Sequence, residues 1–461
     1  MSGLQFSTLN LSSNLLKNID SLGYTQMTPI QAQSLPVMLK GSDVIAQAKT
    51  GSGKTAAFAL TLLENLTVSQ FAIQSIVLCP TRELADQVAK EIRQLARTMH
   101  NVKVLTLCGG MPFGPQIGSL SHGAHIVVGT PGRIEDHLRK QTLRLDHVNT
   151  FVLDEADRML EMGFQESLDN IVSHIPKHRQ TLLFSATYTE QVKSIAKKMM
   201  KNPITITAEE KHDDETINQH FYLVNNDEER MMALRLLLMK HTPESTVVFC
   251  NTKHESQWVA DTLNAHSISA IALHGDLEQK DRTKTLVRFS NKSISVLVAT
   301  DVAARGLDID SVSAVINYHI AKDPEVHVHR IGRTGRAGNS GLAFSFFSKK
   351  EDYKIRILSE YLNRKIEGET LPPKTVLKNT VPKPKMKCIQ IDAGKKQKLR
   401  AGDILGALTG EKGIAGKEVG KINVFDFHAY VAINNESAKQ AISILTDGKI
   451  KGRAFRARLI T

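Results

Sequence analysis

The stretch "IAQAKTGSGKT", residues 45 to 55, joins an apolar segment to a glycine-containing turn and then to helix-forming residues. A strand that turns into a helix in this way directs several backbone N–H groups at one point, where an anion can bind. Residues 48 to 55 match the phosphate-binding loop of nucleotide hydrolases, except that alanine replaces the first glycine. The stretch therefore predicts a strand, a phosphate-binding turn and a helix in succession.

In such a loop the backbone N–H groups cradle the phosphates, Lys54 contacts the β- and γ-phosphates, and the Thr55 hydroxyl coordinates Mg²⁺. The alternative is a glycine turn that binds nothing, but it does not explain why lysine and threonine both stand at the required positions. The predicted nucleotide-binding residues here are Ala48, Lys49, Thr50, Gly51, Ser52, Gly53, Lys54 and Thr55.

The composition shows that the last part of the chain is basic. The chain has 461 residues, enough for two or three domains, and a formal net charge of +12. Residues 382–461 contain 16 Lys and Arg but 7 Asp and Glu, a difference of nine charges. Both a nucleic-acid partner and a solvated lysine-rich surface are compatible with this excess.

The cysteines and the apolar runs argue against zinc-binding, disulfide-rich, secreted and membrane-spanning proteins. Cys79, Cys108, Cys250 and Cys388 lie far apart, without the paired spacing of a zinc site or a disulfide framework. Neither a signal pattern nor an apolar run of about 18 residues is present, so we expect a cytoplasmic protein without membrane contact.

Apolar runs such as "SIVLCP" and "TFVLDEAD" alternate with helical stretches, which predicts a parallel sheet covered by helices. The alternation stops at residues 208–216 and then resumes. The last part of the chain follows the order β-α-β-β-α-β of the ferredoxin-like fold, which RNA-recognition motifs use. The predicted organisation is an α/β domain at 1–207, a linker at 208–216, a second α/β domain at 217–368, an extended tether at 369–385 and an α+β domain at 386–461.

Two further motifs carry chemistry. "FVLDEAD" places Asp154 and Glu155 at the end of an apolar strand, where Asp154 would hold Mg²⁺ and Glu155 would orient and deprotonate the attacking water. An acidic helix start is the alternative for this tetrapeptide when it is considered alone. In "HRIGRTGRAG", Arg333 and Arg336 are three residues apart, so on one helical turn they would point together at a γ-phosphate.

Nine segments in order across residues 27–336 resemble the motifs of the DEAD-box ATP-dependent RNA helicases, and the sequence around them resembles the bacterial DbpA type. They are "MTPIQ", "AKTGSGKT", "PTRELADQ", "GG", "TPGR", "DEAD", "SAT", "ATDVAARGLD" and "HRIGRTGR". The resemblance implies two tandem RecA-like domains, a C-terminal domain resembling an RNA-recognition motif, and ATP with Mg²⁺ as cofactors.

The resemblance also assigns roles around the nucleotide. Tyr24 would stack on adenine with Phe6 supporting the loop, and Gln31 would read the adenine edge, although a structural role is the alternative for both Tyr24 and Gln31. Asp308 would accept hydrogen bonds from the ribose. The residues expected to link nucleotide state to RNA state are Ser185, Thr187 and His329.

For RNA, the resemblance points to backbone groups and hydroxyls, which contact sugar and phosphate and do not read sequence. The implied residues of the first domain are Pro80, Thr81, Arg82, Gly109, Gly110, Thr130, Pro131, Gly132 and Arg133. Those of the second are Thr252, Gly275, Thr300 and Arg305.

The C-terminal segment departs from ordinary RNA-recognition motifs, because His428 and Gln390 occupy positions where bases usually stack on aromatic rings. We therefore expect a folded RNA to dock on basic edges of this domain. The candidate residues are Lys395, Lys396, Lys398, Arg400, Lys449, Lys451, Arg453 and Arg456.

By resemblance to the DbpA type, the docked RNA would be a hairpin of large-subunit (23S) ribosomal RNA near the peptidyl-transferase centre, within pre-ribosomal particles. The predicted function is local, ATP-dependent unwinding or remodelling of RNA by a monomeric enzyme. An ATP-gated RNA clamp that does not separate strands uses the same residues and stays open as the alternative. A DNA translocase is disfavoured, since neither domain contains an extra insertion to serve as a pin.

Overall fold

The computed structural model describes residues 5–48, 51–207, 217–304, 312–335, 340–411 and 413–460. Contacts divide them into two compact units. The described residues up to 207 form the first unit, and those from 217 onward form the second.

Seven short strands form the sheet of the first unit. They are β1 (Val44–Gln47), β2 (Ser75–Leu78), β3 (Val104–Leu107), β4 (Ile126–Gly129), β5 (Thr150–Leu153), β6 (Gln180–Ser185) and β7 (Ile204–Thr207). Their order is β3-β4-β2-β5-β6-β1-β7, and all neighbours run parallel. The predicted parallel sheet is therefore confirmed.

Helices cover both faces of this sheet. They are α1 (Ser13–Ser21), α2 (Pro29–Met38), α3 (Lys54–Glu64), α4 (Arg82–Leu95), α5 (Phe113–Leu120), α6 (Pro131–Arg139), α7 (Ala156–Glu161), α8 (Gln165–Ser173) and α9 (Glu190–Met199). Successive strand residues point to opposite faces, so Val77 enters one core and Ile76 the other. Two-sided burial explains why these strands are apolar throughout.

The second unit begins with another parallel sheet. Its strands are β8 (Ile217–Leu223), β9 (Thr246–Cys250), β10 (Ala270–Leu273), β11 (Val296–Thr300), β12 (Ala314–Asn317) and β13 (Gly341–Phe347), in the order β10-β11-β9-β12-β13-β8. Its helices are α10 (Asp227–His241), α11 (Lys253–Ala265), α12 (Gln279–Ser290), α13 (Asp301–Ala304), α14 (Pro324–Ile331) and α15 (Asp352–Tyr361).

A four-stranded antiparallel sheet completes the second unit. It contains β14 (Met386–Ile391), β15 (Val419–Val424), β16 (Ala429–Asn434) and β17 (Ala457–Ile460), with helices α16 (Ala401–Leu408) and α17 (Ala438–Asp447). The strand order β15-β16-β14-β17 and the element order β-α-β-β-α-β are those of the ferredoxin-like fold. Ile389, Val431 and Leu445 pack in its core, between the sheet and both helices.

Residues 369–385, predicted as an extended tether, do not behave as a free linker. Lys374–Lys378 form a 3₁₀ turn against α10, and Leu371 and Val381 pack on the core of the second parallel sheet. Prolines and lysines break helical periodicity here, but two apolar side chains are enough to hold the segment against the domain. The predicted linker at 208–216 lies outside the described residues.

Within the part of the chain that the structure describes, no helix combines the length and apolar character needed to cross a bilayer.

The buried His327 makes the stability of the second unit depend on pH. Burial, and then the charges of Arg330 and Arg364, lower the pKa of its imidazole to about 3. Its Nε2 faces Oε1 of Gln219 at 3.3 Å, and its Nδ1 faces Nδ2 of Asn317 at 3.4 Å, which suits a neutral ring.

We expect the His327→Gln variant to lose less stability than the parent on acidification. Between pH 6.5 and about 3 the unfolded chain binds a proton at His327 that the native protein does not, so the free energy of unfolding falls as pH falls. Melting temperatures measured from pH 7 to pH 5 test this, with the exposed His266→Gln as control. Parallel curves for parent and His327→Gln would contradict it.

Candidate nucleotide-binding and RNA-binding sites

The carboxyl ends of neighbouring strands gather the predicted residues of the first unit at one sheet edge. The phosphate-binding turn follows β1, Asp154 follows β5, and Ser185 ends β6, and these three strands are neighbours in the order β5-β6-β1. Backbone hydrogen bonds continue past the strands, from Ala48 N to the Ser185 carbonyl at 3.0 Å. The three predicted nucleotide segments therefore lie side by side.

The phosphate-binding turn has the backbone that its glycines predict. Gly51 and Gly53 both adopt φ of 90°, a left-handed conformation that glycine tolerates, and α3 begins directly at Lys54. The Lys54 side chain is buried, and its Nζ donates to the Ala48 carbonyl at 2.7 Å. The Lys54 ammonium therefore reaches back to the first residue of the phosphate-binding turn. Lys49 and Thr50 lie outside the described residues.

Gln31, predicted to read adenine, is bonded to the protein at both ends of its amide. Oε1 accepts from the Thr28 backbone N–H at 2.9 Å as part of the N-terminal cap of α2, and Nε2 donates to the Gly53 carbonyl at 3.0 Å. The side chain is 2% exposed. An adenine edge would have to use the remaining N–H and lone pair of this amide, so Gln31 ties the phosphate-binding turn to α2 whether or not it contacts a base.

Tyr24 and Phe6 lie together. Their rings meet edge to face with centroids 6.3 Å apart, Phe6 is buried, and Tyr24 is half-buried. Burial, and then the charge of Glu91, raise the pKa of the Tyr24 hydroxyl. This geometry leaves part of the Tyr24 ring accessible for stacking.

The acidic pair combines burial with an unusual backbone. Burial raises the pKa of the Asp154 carboxyl to about 7, while the charge of Lys54 lowers it and that of Glu155 raises it further. Glu155, at the start of α7, has φ 55° and ψ 52°, a left-handed conformation that costs a residue with a side chain roughly 1–2 kcal/mol. Backbone outliers of this kind are concentrated at functional sites.

Asp157, which sequence reasoning did not select, connects the acidic segment to β6. Its Oδ2 accepts from both the backbone N–H and the hydroxyl of Thr187, each at 3.0 Å. Ser185 Oγ in turn donates to the Thr187 carbonyl at 2.7 Å. Of the predicted coupling residues, Thr187 thus bonds directly to the last residue of the DEAD tetrapeptide, and Ser185 bonds to Thr187. The only sequence signal that could have identified Asp157 was its position in that tetrapeptide with Asp154 and Glu155.

The predicted RNA residues of the first unit occupy the other half of the same sheet edge, after β2, β4 and β3. Thr81 caps α4 by accepting from the Leu84 N–H, and Thr130 precedes α6, where Pro131, Gly132 and Arg133 form the first turn. Gly109 and Gly110 follow β3, and the Gly109 N–H donates to Thr130 Oγ1 at 3.4 Å. Pro80 is buried, while Arg82 and Arg133 are partly exposed. The structure therefore brings all nine residues to one region.

The second unit repeats this arrangement. Thr252, Gly275 and Thr300 follow or end β9, β10 and β11, which are adjacent in the order β10-β11-β9. Thr252 Oγ1 accepts from the Glu255 N–H at 3.1 Å and Thr300 Oγ1 from the Ala303 N–H at 3.4 Å, so both hydroxyls cap helices. Arg305 and Asp308 lie outside the described residues.

Arg333 lies just beyond α14, and its predicted pairing with Arg336 on one helical turn falls partly outside the described residues. Helix α14 ends at Ile331, and Arg333 lies in the turn that follows, with its carbonyl accepting from the Val312 N–H at 3.0 Å. Glycines stop the helix, since Gly332 takes the C-cap position and Gly335 has φ 68°. His329 lies in α14 and is half-buried, and Arg336 lies outside the described residues.

The eight basic residues of the antiparallel-sheet domain come from two loops, which we call the basic loops: residues 395–400 and 449–456. All eight are exposed. The loops are neighbours, because the Asp392 N–H donates to the Arg456 carbonyl at 2.9 Å and Lys451 Nζ lies 3.8 Å from an Asp403 oxygen. They form one basic end of the domain.

The sheet face opposite α16 and α17 is covered by helix α12. Val287 packs there against Cys388 and Tyr430, and Asn291 Nδ2 lies 3.2 Å from Cys388 Sγ. Tyr430 is 1% exposed, and burial raises the pKa of its hydroxyl to about 12. Bases therefore cannot stack on this central part of the sheet as they do in ordinary RNA-recognition motifs, which agrees with the expectation drawn from His428 and Gln390.

Comparison with known proteins identifies the family to which the chain belongs. Residues 28–195 match the family model described as DEAD/DEAH box helicase, residues 229–338 the helicase conserved C-terminal domain, and residues 388–459 the DbpA RNA binding domain. The ATP-dependent RNA helicase DbpA of Escherichia coli (strain K12) is 52% identical over 99% of this chain and 99% of its own. The chain belongs to the DEAD-box RNA helicases.

Other DEAD-box relatives cover the two parallel sheets. The DEAD-box ATP-dependent RNA helicase CshA of Geobacillus kaustophilus (strain HTA426) is 44% identical over 78% of this chain and 77% of its own. Among solved structures, S. cerevisiae Dbp5 bound to RNA and ADP BeF3 is 32% identical with a TM-score of 0.72, covering 81% of this chain and 98% of that one. Mss116p bound to ssRNA and AMP-PNP is 28% identical with a TM-score of 0.73, covering 81% of each chain.

The DEAD-box assignment makes the protein an ATP-hydrolysing, RNA-binding enzyme with two RecA-like parallel-sheet domains and a C-terminal RNA-binding domain.

We expect the Gly53→Ala variant to lose at least about tenfold in ATP affinity. A Cβ at Gly53 would lie 2.5 Å from Gln31 Nε2, on a backbone with φ of +90°. Gly41→Ala is a matched control, because Gly41 has φ +84° but no atom within 4 Å of the added Cβ. Equilibrium binding of a fluorescent ATP analogue separates the two. Equal losses in both variants would show that strain alone, and not the contact with Gln31, determines the effect.

Proposed function

We propose that this helicase separates or remodels short RNA helices locally, next to a hairpin of 23S ribosomal RNA that the C-terminal domain holds, during assembly of the large ribosomal subunit in the cytoplasm. The observation that carries this proposal is the pair of adjacent basic loops, whose eight Lys and Arg side chains are all exposed, on a domain whose central sheet face is covered. A cluster of cations on loops suits a folded RNA, with its paired phosphates, better than an extended single strand.

ATP hydrolysis would use the residues of the first unit, with Mg²⁺ as the metal. Asp154 and the Thr55 hydroxyl are oxygen ligands of the kind Mg²⁺ takes, and two protein ligands are typical where substrate phosphates and water supply the rest. The raised pKa of Asp154 fits this role, since a bound cation would offset the desolvation that disfavours the carboxylate. Mg²⁺ would neutralise charge on the phosphates.

Lys54 would exchange its hydrogen bond with the Ala48 carbonyl for the β- and γ-phosphates. Glu155, held by its left-handed backbone, would accept the proton of the attacking water. Asp157 would transmit the change to β6 through its two bonds with Thr187, and from there through Ser185 to the RNA-binding side.

The second unit would complete the site when the two RecA-like domains close on ATP and RNA. Arg333 and Arg336 would then stabilise charge on the transferred phosphoryl group, and Asp308 would bind the ribose. The RNA residues of both units would hold one strand by sugar and phosphate, in a form unable to pair with its complement. Such contacts favour RNA over DNA through the 2′-hydroxyls and do not distinguish one base sequence from another.

A purely clamping function, in which hydrolysis only releases RNA, uses the same residues. A strand-displacement assay decides between the two functions. With a duplex placed next to the 23S hairpin, a helicase releases the short strand in the presence of ATP, whereas a clamp binds the substrate and leaves the duplex intact.

Glu155→Gln should retain ATP and RNA binding while its turnover falls by at least about 10²-fold, because the amide keeps the shape of the side chain but cannot accept the proton. Lys54→Ala should instead weaken ATP binding. Single-turnover hydrolysis and equilibrium binding measured on both variants test the assignment. Hydrolysis by Glu155→Gln at the parental rate would assign the base elsewhere.

Reversing charge in one basic loop should abolish RNA selectivity and leave the ATPase intact. In the variant Lys449→Glu, Lys451→Glu, Arg453→Glu we expect hydrolysis stimulated equally by a 23S hairpin fragment and by unrelated RNA of equal length, with weaker binding and a shallower salt dependence. The substitutions keep α12 covered, whereas deletion of the domain would expose Val287.

The matched control for that variant reverses Lys417, Lys421 and Lys439, which are exposed on the same domain outside the basic loops. It changes the net charge by the same amount and should keep the preference for the 23S fragment. Equal loss of selectivity in both variants would mean that overall charge, and not the basic loops, attracts the RNA.

A further inference from the structure

We propose that Gln116, His137 and Phe113 form a brace that fixes the loop Gly109–Met111 for RNA, and so act as positioning residues for RNA binding. This inference rests on the proposed function of Gly109, Gly110 and Arg133 as RNA contacts. None of the three bracing side chains needs to touch RNA for the brace to act.

Gln116 holds the start of the loop. It lies in α5 with 8% of its side chain exposed, and its Nε2 donates to the Cys108 carbonyl, the last group before Gly109, at 3.1 Å. Its Oε1 faces Nε2 of His137, in α6, at 3.0 Å. The amide therefore connects the loop after β3 to the helix that carries Arg133.

His137 holds Gln116 in the required orientation. Because Gln116 presents its oxygen to the ring, Nε2 of His137 must carry a proton, and Nδ1 faces Thr142 Oγ1 at 2.8 Å. The ring is buried and uses both nitrogens. Rotation of the Gln116 amide would break its bonds with Cys108 and His137 at once.

Phe113 fixes the other end of the loop. Its ring stacks on that of His137 with centroids 4.1 Å apart and an interplanar angle of 16°, and Lys140 Nζ lies 4.2 Å from the ring centroid. Arg133 Nη1 donates to the Met111 carbonyl at 3.0 Å. Between Cys108 and Phe113 the loop thus has fixed ends, while Met111 itself is 42% exposed.

This bracing matters because glycines give the loop backbone more conformational freedom than other residues would. Gly109 and Gly110 have no side chains, Gly110 has φ 72°, and ordering such residues costs conformational entropy. A loop ordered before binding does not incur that loss when RNA arrives. Arg133 contacts this loop through the Met111 carbonyl, and Arg82 Nη2 lies 2.6 Å from Met111 Sδ, so two partly exposed guanidinium groups stand beside the ordered loop.

The Gln116→Leu variant tests the brace in the full-length protein. We expect the RNA concentration that half-saturates ATPase stimulation to rise about tenfold, while kcat at saturating RNA and the KM for ATP stay within about twofold. His137→Phe retains a ring for Phe113 but loses both hydrogen bonds, and it should give a similar rise. If the residues act as a unit, the double variant should cost about the same as either single variant.

The matched control is Gln74→Leu. Gln74 is also buried in the same unit, and its amide bonds to the backbone of Thr67 and Gln70, in a different loop. It should lower the melting temperature as Gln116→Leu does, with no change in the half-saturating RNA concentration. A rise in that concentration for Gln74→Leu matching that for Gln116→Leu, or no rise for Gln116→Leu, would overturn the proposal.

Arg133→Ala separates this inference from the assignment on which it rests. If Arg133→Ala weakens RNA stimulation and Gln116→Leu does not, the brace is wrong and the RNA contacts stand. If neither variant changes the half-saturating RNA concentration, RNA does not bind at this loop, and both the brace and the assigned contacts are wrong.

Discussion

The pairing of β2 with β5, which sets Leu78 opposite Leu153, is the constraint on which the first unit depends. It joins the half of the sheet that carries the nucleotide segments, β5-β6-β1, to the half that carries the predicted RNA residues, β2-β4-β3. The Asp154 N–H donates to the Leu78 carbonyl at 2.9 Å, one residue beyond the paired strands. A shift of this register by one residue would turn the apolar side chains of β2 to the opposite faces and separate the two halves of the edge.

Because every segment leaves the sheet at its carboxyl edge, a few side chains connect neighbouring segments within each half of that edge. Asp157 bonds to Thr187, Gln31 bonds to Gly53, and Gln116 connects the loop after β3 to α6. Each bond joins two segments that meet at the same sheet edge, so these segments are connected by short, directional contacts. Packed cores shift between discrete arrangements and do not deform continuously, which suits such an edge to switching.

The C-terminal domain uses its ferredoxin-like sheet for a different purpose from an ordinary RNA-recognition motif. Val287 of α12 fills the central face with Cys388 and Tyr430, which holds the domain against the second RecA-like domain within one unit. Burying this apolar face stabilises the contact, at roughly 25 cal/mol per Å² of apolar area. The consequence is that exposed charge remains on the basic loops at the end of the sheet, and a bound RNA would be carried on the same body as the second RecA-like domain.

Local sequence determined the parts of the protein that depend on neighbouring residues. Apolar runs specify the strands of both parallel sheets, and Gly51 and Gly53 specify the phosphate-binding turn. Capping threonines such as Thr81 specify where helices begin. Motif order was enough for the family, and departures at Gln390 and His428 were enough to question base stacking. These features act through backbone geometry and side-chain period, which a short stretch of chain specifies by itself.

Only the tertiary structure decided which distant residues meet. Spacing did not reveal that Asp157 holds Thr187, that α12 covers Tyr430 or that residues 369–385 pack on a core. The Gln116–His137 bond joins residues from different helices, and nothing in either helix alone requires it. The physical reason is that such contacts depend on how sheets order their strands and which apolar faces find each other, and these are properties of the whole folded chain.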